Sequence, residues 1–134
     1  SDSKSVKPVM NLQMELEIKP IQDSVWSWNI YYITEKPDLR AYELRKTGNQ
    51  WIIDEKNGIR LIQTLIGNRL SSSFSLGKTL LISSYWMENK QLNFEIVVTN
   101  LDPVSTTGLG SEESPAVGNH PVNTYHRAVM QKVE

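Results

Sequence analysis

The chain has 134 residues, of which 39% are hydrophobic and 22% are charged, a balance that fits one folded domain and excludes wholesale disorder or a membrane-embedded bundle. Fourteen Lys and Arg residues against fifteen Asp and Glu residues give a net charge of -1, so nucleic acid is not an expected partner. The absence of Cys excludes disulfides, thiol nucleophiles and thiolate metal sites.

The first segment, residues 1–8, is polar and Ser-rich and contains no apolar signal core, so we expect a disordered leader. Because the chain starts at Ser1 rather than Met, we expect a processed or truncated product whose earlier residues held a secretion or lipoprotein signal and provided a membrane tether. Simple fraying of the terminus is the alternative. These features favour an exported, periplasmic or lipid-anchored bacterial protein and leave the compartment open.

Glycines at regular spacing divide the middle of the chain into short segments. Gly48, Gly58, Gly67 and Gly77 recur every nine or ten residues, each beside a turn-forming neighbour, which is typical of antiparallel sheets. The pair Asn57-Gly58 predicts a type I′ hairpin, because both residues accept the positive φ that this turn requires.

Between these turns, apolar and polar residues alternate with the period of a half-buried strand. The pattern predicts nine strands, at residues 10–20, 24–34, 39–46, 50–55, 58–66, 69–76, 79–87, 91–100 and 122–133. No segment carries a sustained helical stripe, so little helix is expected. Residues 101–121 are rich in Pro and Gly and are predicted to form a long mobile loop.

Short connections between consecutive strands favour a meander, and a nine-stranded meander exposes two edges unless the sheet closes. We therefore predict one all-β domain over residues 1–134, a single antiparallel up-and-down β-barrel whose interior is filled or holds one small ligand. A two-sheet β-sandwich is the alternative. Strands that are apolar on both faces, such as residues 25–33, indicate either a covered outer surface or an interface, for example that of a homodimer.

Catalytic and metal-binding signatures are weak. His120 and His126 lack an H-E-x-x-H arrangement, and the run Ser71-Ser72-Ser73 lacks the G-x-S-x-G turn of a nucleophile. No cofactor and no metal site are therefore expected, and binding is preferred to catalysis.

One strand combines groups suited to holding an anion. Arg40 and Tyr42 share a face, and inside a barrel they could bind the carboxylate of an otherwise apolar ligand. The other predicted ligand-binding residues are the aromatic wall side chains Trp26, Trp28, Tyr32 and Trp86, and a second anchor, Arg127. The alternative is that Arg40 faces solvent or pairs with Glu35 or Asp38, since a buried Arg requires a partner.

The strand pattern resembles the calycin-like barrels, the lipocalin and fatty-acid-binding group. Residues 12–44 also resemble the start of the CpcT/CpeT-type chromophore lyases, through Ile18-Lys19-Pro20-Ile21, the aromatic strand from Trp26 to Tyr32 followed by Glu35, and Arg40-Ala41-Tyr42-Glu43-Leu44. The second resemblance implies a barrel that binds bilins, with an acidic residue and an Arg/Tyr strand lining the cavity.

Three functions follow as hypotheses. The leading one is non-catalytic binding of a small apolar or amphipathic ligand, in some cases an anionic one, in the barrel cavity. The second is an interaction or assembly protein that uses its two-sided apolar strands, for instance as a homodimer. The third, implied only by the second resemblance, is a chromophore-lyase-like chaperone.

Overall fold

All regular structure in the described part of the chain is β-strand. The computed structural model describes residues 10–11, 14–33 and 38–131. The strands are β1 (Met10–Asn11), β2 (Met14–Gln22), β3 (Val25–Tyr32), β4 (Asp38–Thr47), β5 (Gln50–Asp54), β6 (Arg60–Ile66), β7 (Arg69–Leu76), β8 (Thr79–Glu88), β9 (Gln91–Asn100), β10 (Ser105–Thr107), β11 (Val117–Asn119) and β12 (Val122–Gln131). Within these residues there is no helix that could cross a membrane.

The strands form a meander, as the short connections predict. Their order in the main sheet is β1-β12-β9-β8-β7-β6-β5-β4-β3-β2, and every neighbouring pair from β2 to β12 is antiparallel. The sheet curls into a half-barrel, which confirms the predicted all-β class and up-and-down architecture. The two residues of β1 lie parallel to β12, directly before the segment that leads into β2, so the ends of the sheet approach each other there.

The curl brings side chains from distant strands together on one face of the sheet, which we call the concave face. The rings of Trp28 on β3 and Tyr85 on β8 are 5.1 Å apart although four strands separate them in the sheet, and Phe94 follows at 4.7 Å from Tyr85. The buried core on this face comprises Met14, Trp28, Ile30, Leu44, Ile53, Tyr85, Phe94, Ala128 and Met130. The opposite face is called the convex face below.

Two-residue turns set the register of the central hairpins. In both the β6–β7 and β7–β8 turns the first residue is a glycine at φ 59°, Gly67 and Gly77, and the second residue has no positive φ. This is the type II′ pattern, which suits glycine at that first position.

The β5–β6 connection differs from the predicted type I′ hairpin. It spans five residues, 55–59, with positive φ at Lys56 and Gly58 but not at Asn57. Side chains stabilise this longer loop, because Asp54 Oδ1 accepts the Lys56 N–H at 2.8 Å and Asn57 Oδ1 accepts the Ile59 N–H at 3.0 Å. Such Asx-type bonds compete with the tight turn.

The segment predicted as a long mobile loop, residues 101–121, contains a pair of short strands. Strands β10 and β11 pair as a separate antiparallel hairpin. Its turn requires glycine at position 108, because a Cβ there would lie 2.0 Å from the carbonyl oxygen of Pro115. The Pro and Gly residues of this segment therefore belong to a short hairpin. The sequence pattern alone did not distinguish this hairpin from a loop.

Candidate functional site

Five of the seven predicted ligand-binding residues lie on the concave face. Register places Trp28 opposite Tyr42, Ile30 opposite Arg40 and Tyr32 opposite Asp38. Trp28 belongs to the buried core, and Trp26, Tyr32 and Tyr42 pack against it. The alternation of β3 and β4 therefore brings these residues together, as expected from a period of two.

Arg40 does not occupy a buried lumen. Its side chain is half-exposed, its Nε donates to Asp38 Oδ2 at 3.1 Å, and its guanidinium carbon lies 5.6 Å from the centre of the Tyr32 ring. Burial raises the pKa of the Tyr32 hydroxyl, partly offset by the positive charge of Arg40. The Arg40 guanidinium is therefore paired with the Asp38 carboxylate, which is the alternative that the sequence analysis gave for this residue.

The structure corrects the placement of the other two residues, because Trp86 and Arg127 lie on the convex face. Tyr85 takes the concave side of β8, so its neighbour Trp86 must point the other way. The guanidinium carbons of Arg69 and Arg127 lie 4.2 Å and 5.7 Å from the Trp86 ring centre. These two residues therefore cannot form a common pocket wall with Trp28.

A groove of about 470 Å³ lies elsewhere, at the end of the half-barrel beside the β4–β5 hairpin. It is lined by Lys46, Asn49, Gln50, Trp51, Ile62, Gln63, Thr64 and Leu65. The pairing of β5 with β6 stops at Trp51↔Gln63, so the last residues of β6 extend past the end of β5 and leave this space open. None of the seven predicted ligand-binding residues lines this groove, although the Trp26 ring lies 5.6 Å from that of the lining residue Trp51.

The groove combines an aromatic wall with two kinds of polar group. Lys46 Nζ lies 5.3 Å from the centre of the Trp51 ring at the exposed rim. Gln63 is only 4% exposed, and its Nε2 donates to the carbonyl oxygen of Leu61 at 3.2 Å. This bond fixes the amide orientation, so the acceptor Oε1 is the atom left without a partner.

Buried polar atoms without partners concentrate on the concave face. Within the described ranges there are four such side-chain atoms: Trp28 Nε1, Arg45 Nε, Gln63 Oε1 and Ser72 Oγ. Arg45 Nε is on the convex face, 3.8 Å from Asp54 Oδ2, and the other three belong to concave-face side chains. A buried polar atom without a hydrogen bond costs about 1–3 kcal/mol. The Trp28 indole N–H faces the Tyr85 hydroxyl, where it opposes the rise in pKa that burial causes, so Gln63 Oε1 and Ser72 Oγ are the two atoms that require an explanation.

Two of these atoms flank a break in the sheet. Strands β6 and β7 pair only next to their turn, at Thr64↔Ser71, Leu65↔Leu70 and Ile66↔Arg69. Beyond the last pair, residues 60–63 and 72–76 have no ladder partner across this boundary, which we call the β6–β7 seam. Gln63 and Ser72 are the first residues past the last pair, one on each side of the seam.

Sequence reasoning missed Gln63 as a residue of the groove and Ser72 as a buried polar residue. Each is a polar residue within an apolar alternation, Gln63 between Leu61 and Leu65 and Ser72 between Leu70 and Phe74. A polar residue on an otherwise apolar strand face is the signal that could have indicated them.

Comparison of the chain with protein-family models, curated protein sequences and solved structures gave no match. Among the side chains that the structure describes, no group of three or more His, Asp or Glu is placed to hold a metal ion. Because no matching protein indicates a ligand, the side chains that line the groove are the basis for inferring what the site can bind.

Proposed function

We propose that this chain is a calycin-like binding protein that holds a small amphipathic ligand in the groove between the β4–β5 hairpin and β6, without covalent chemistry. The observation that supports this most is a groove of about 470 Å³ whose lining includes the buried Gln63, a side chain with one unpaired atom, Oε1. The groove volume lies within the range of roughly 300–1,000 Å³ that is typical of ligand sites.

The lining suits an amphipathic molecule. Trp51 and Leu65 provide apolar contact area, and Lys46 adds a positive charge at the exposed rim. An aromatic anion such as 1-anilinonaphthalene-8-sulfonate could place its rings against Trp51 and its sulfonate near the Lys46 ammonium. This compound therefore serves as the first probe.

The test compares two adjacent aliphatic residues of equal size, whose side chains lie on opposite faces of β6. Leu65 is 58% exposed and lines the groove, whereas Ile66 is 60% exposed, lies on the convex face and is not part of the lining. Titration of the fluorescent probe should give a Kd raised roughly threefold to tenfold by Leu65→Ser, because apolar contact is lost. Ile66→Ser should leave the Kd unchanged.

Equal effects of the two substitutions, or an absence of probe binding to the native chain, would contradict the proposal. Near-ultraviolet circular dichroism of each variant provides the control for folding, because this probe also binds partly unfolded proteins.

The remaining hypotheses stay predictions. Apolar side chains such as Ile66 and Val129 are exposed on the convex face and are compatible with an assembly protein or homodimer. The chromophore-lyase-like activity depends on the resemblance of residues 12–44 alone, and the membrane tether concerns residues outside the described ranges.

A further inference from the structure

We infer that the β5–β6 loop is a site of spontaneous covalent modification, at which Asn57 loses its side-chain amide and becomes an isoaspartate or aspartate residue. The reaction joins the Asn57 side chain to the backbone nitrogen of Gly58 and needs only water as a further reactant. None of the loop residues 55–59 lines the groove, so this inference does not depend on the proposed binding function.

The pair Asn57-Gly58 supplies the two reacting groups, and Asn57 is the only asparagine of the chain that is followed by glycine. A backbone nitrogen that follows an asparagine can attack Cγ of that side chain and close a five-membered ring, and the covalent chain keeps the two groups close together. Glycine leaves this nitrogen uncovered, and the space that a Cβ would occupy is open. Both residues are exposed, so water has access to the ring that forms.

The loop also leaves the attacking nitrogen without a hydrogen bond. The Gly58 N–H donates to no atom of the residues that the structure describes. Asn100 provides a contrast, because the N–H of the next residue, Leu101, donates to the Lys78 carbonyl oxygen at 2.8 Å. That bond would have to break before the nitrogen could attack, whereas the Gly58 nitrogen is free to react in the folded chain.

A hydrogen bond to the Asn57 side chain favours attack at its carbonyl carbon. The Ile59 N–H donates to Asn57 Oδ1 at 3.0 Å, and this oxygen gains negative charge when the Gly58 nitrogen attacks Cγ. A donor already in place at such an oxygen stabilises the tetrahedral intermediate, as an oxyanion hole does. The leaving atom, Asn57 Nδ2, is 3.5 Å from Glu55 Oε1, a contact too long to hold the amide firmly.

The atoms of the reaction balance with water alone. The bond from the Gly58 nitrogen to Asn57 Cγ forms, the bond from Cγ to Nδ2 breaks, and the Gly58 N–H proton leaves with the amide as ammonia, which gives a succinimide. Water then opens the ring. Attack at Cγ gives aspartate, and attack at the backbone carbonyl carbon gives isoaspartate, whose main chain runs through Cγ. Either product places a carboxylate near Glu55 where the native chain has a neutral amide.

The experiment follows the full chain during incubation at physiological temperature and neutral pH, in the folded state and in guanidinium chloride. Peptide mapping by mass spectrometry measures the exchange of NH2 for OH at each asparagine, and labelling with an isoaspartate methyltransferase identifies isoaspartate. The rate at Asn57 in the folded chain should stay within about tenfold of the rate in the unfolded chain, because the loop neither covers nor bonds the attacking nitrogen. Asn100 should show no conversion in the folded chain.

Two controls separate the roles of the amide and the glycine. Asn57→Gln keeps an exposed amide but would require a six-membered ring, so it should not convert. Asn89 is exposed in the β8–β9 turn and is followed by Lys90, so in the native chain it should convert about tenfold more slowly than Asn57. A folded-state rate at Asn57 that is more than tenfold below the unfolded rate, or that is no faster than the rate at Asn89, overturns the inference.

Discussion

At the scale of single residues, an ion-pair network covers part of the convex face. Arg45 Nη2 contacts Glu43 Oε1 at 2.6 Å, and Lys56 Nζ approaches the same oxygen at 3.4 Å. The hydrogen bond from Arg45 is the main reason that the pKa of Glu43 is lowered, against the opposing effect of burial. Folding therefore favours the ionised form of this carboxylate.

A lowered folded-state pKa fixes the sign of the pH dependence. Glu43 stabilises the fold above its unfolded pKa of about 4.3, and this contribution disappears as the pH falls through its lower folded pKa. Glu43→Gln should reduce the free energy of unfolding by up to about 1 kcal/mol at pH 7, with a smaller difference below about pH 4. Urea unfolding at several pH values measures this difference.

Glu15→Gln is the control for this series, because the exposed Glu15 makes no ion pair with any residue that the structure describes. A Glu43→Gln deficit of the same size at pH 3 as at pH 7 would show that lost packing, and not charge, is responsible.

At the scale of elements, β7 has a full ladder on one side and a partial ladder on the other. The pair Leu76↔Thr79 flanks the two-residue turn between β7 and β8, so these two residues exchange backbone hydrogen bonds. Every second residue before Leu76 on β7 also forms backbone hydrogen bonds with β8. Phe74 therefore bonds to β8, while the backbone groups of Ser73 and Ser75 point toward the β6–β7 seam. Pairing with β6 ends at Ser71, before either residue.

Amide hydrogen exchange should reveal this alternation directly. The amides of Ser73 and Ser75 should exchange much faster than that of Phe74, because only the Phe74 amide is in a ladder. Residue-resolved exchange measured by NMR gives the comparison, and Ser71, which still pairs with β6, serves as the protected control. Equal protection of Ser73 and Phe74 would mean that β6 and β7 pair along their whole length.

At the scale of the whole molecule, one core joins both arms of the curled sheet. Trp28 and Ile30 come from β3, and Tyr85 and Phe94 come from β8 and β9, yet they form one buried cluster. The half-barrel therefore depends on contacts between strands that are distant in the sheet order and not only on neighbouring ladders.

Removing side-chain volume from this cluster should destabilise the whole fold. Ile30→Ala is expected to lower the free energy of unfolding by about 2–4 kcal/mol, because it leaves a cavity between the two arms. Ile66→Ala, on the exposed convex surface, should change it by no more than about 0.5 kcal/mol. Denaturant unfolding of both variants tests the expectation, and similar losses would argue against a single shared core.

The local sequence pattern was sufficient to predict most of the long strands. The alternation of apolar residues and the regular glycines predicted β3 to β9 and β12 within a few residues of their observed ends. The short strands β10 and β11 were missed, because three-residue strands in a segment rich in Pro and Gly carry too little alternation to be recognised.

The candidate site was only partly predictable. Alternation correctly grouped Trp26, Trp28 and Tyr32 on one face of β3, since parity within one strand is a local property. It could not decide which apolar face of β8 turns inward, so Trp86 was assigned to the wrong side.

The amino-acid sequence by itself determined the all-β class, the order of the long strands and the position of most turns between them, because these depend on a period of two and on residues adjacent in the chain. The tertiary structure alone decided which face is concave, where the ladder between β6 and β7 stops, and that the atoms Gln63 Oε1 and Ser72 Oγ are buried without partners. These features depend on how the sheet curls and on contacts between distant strands, which no local period encodes.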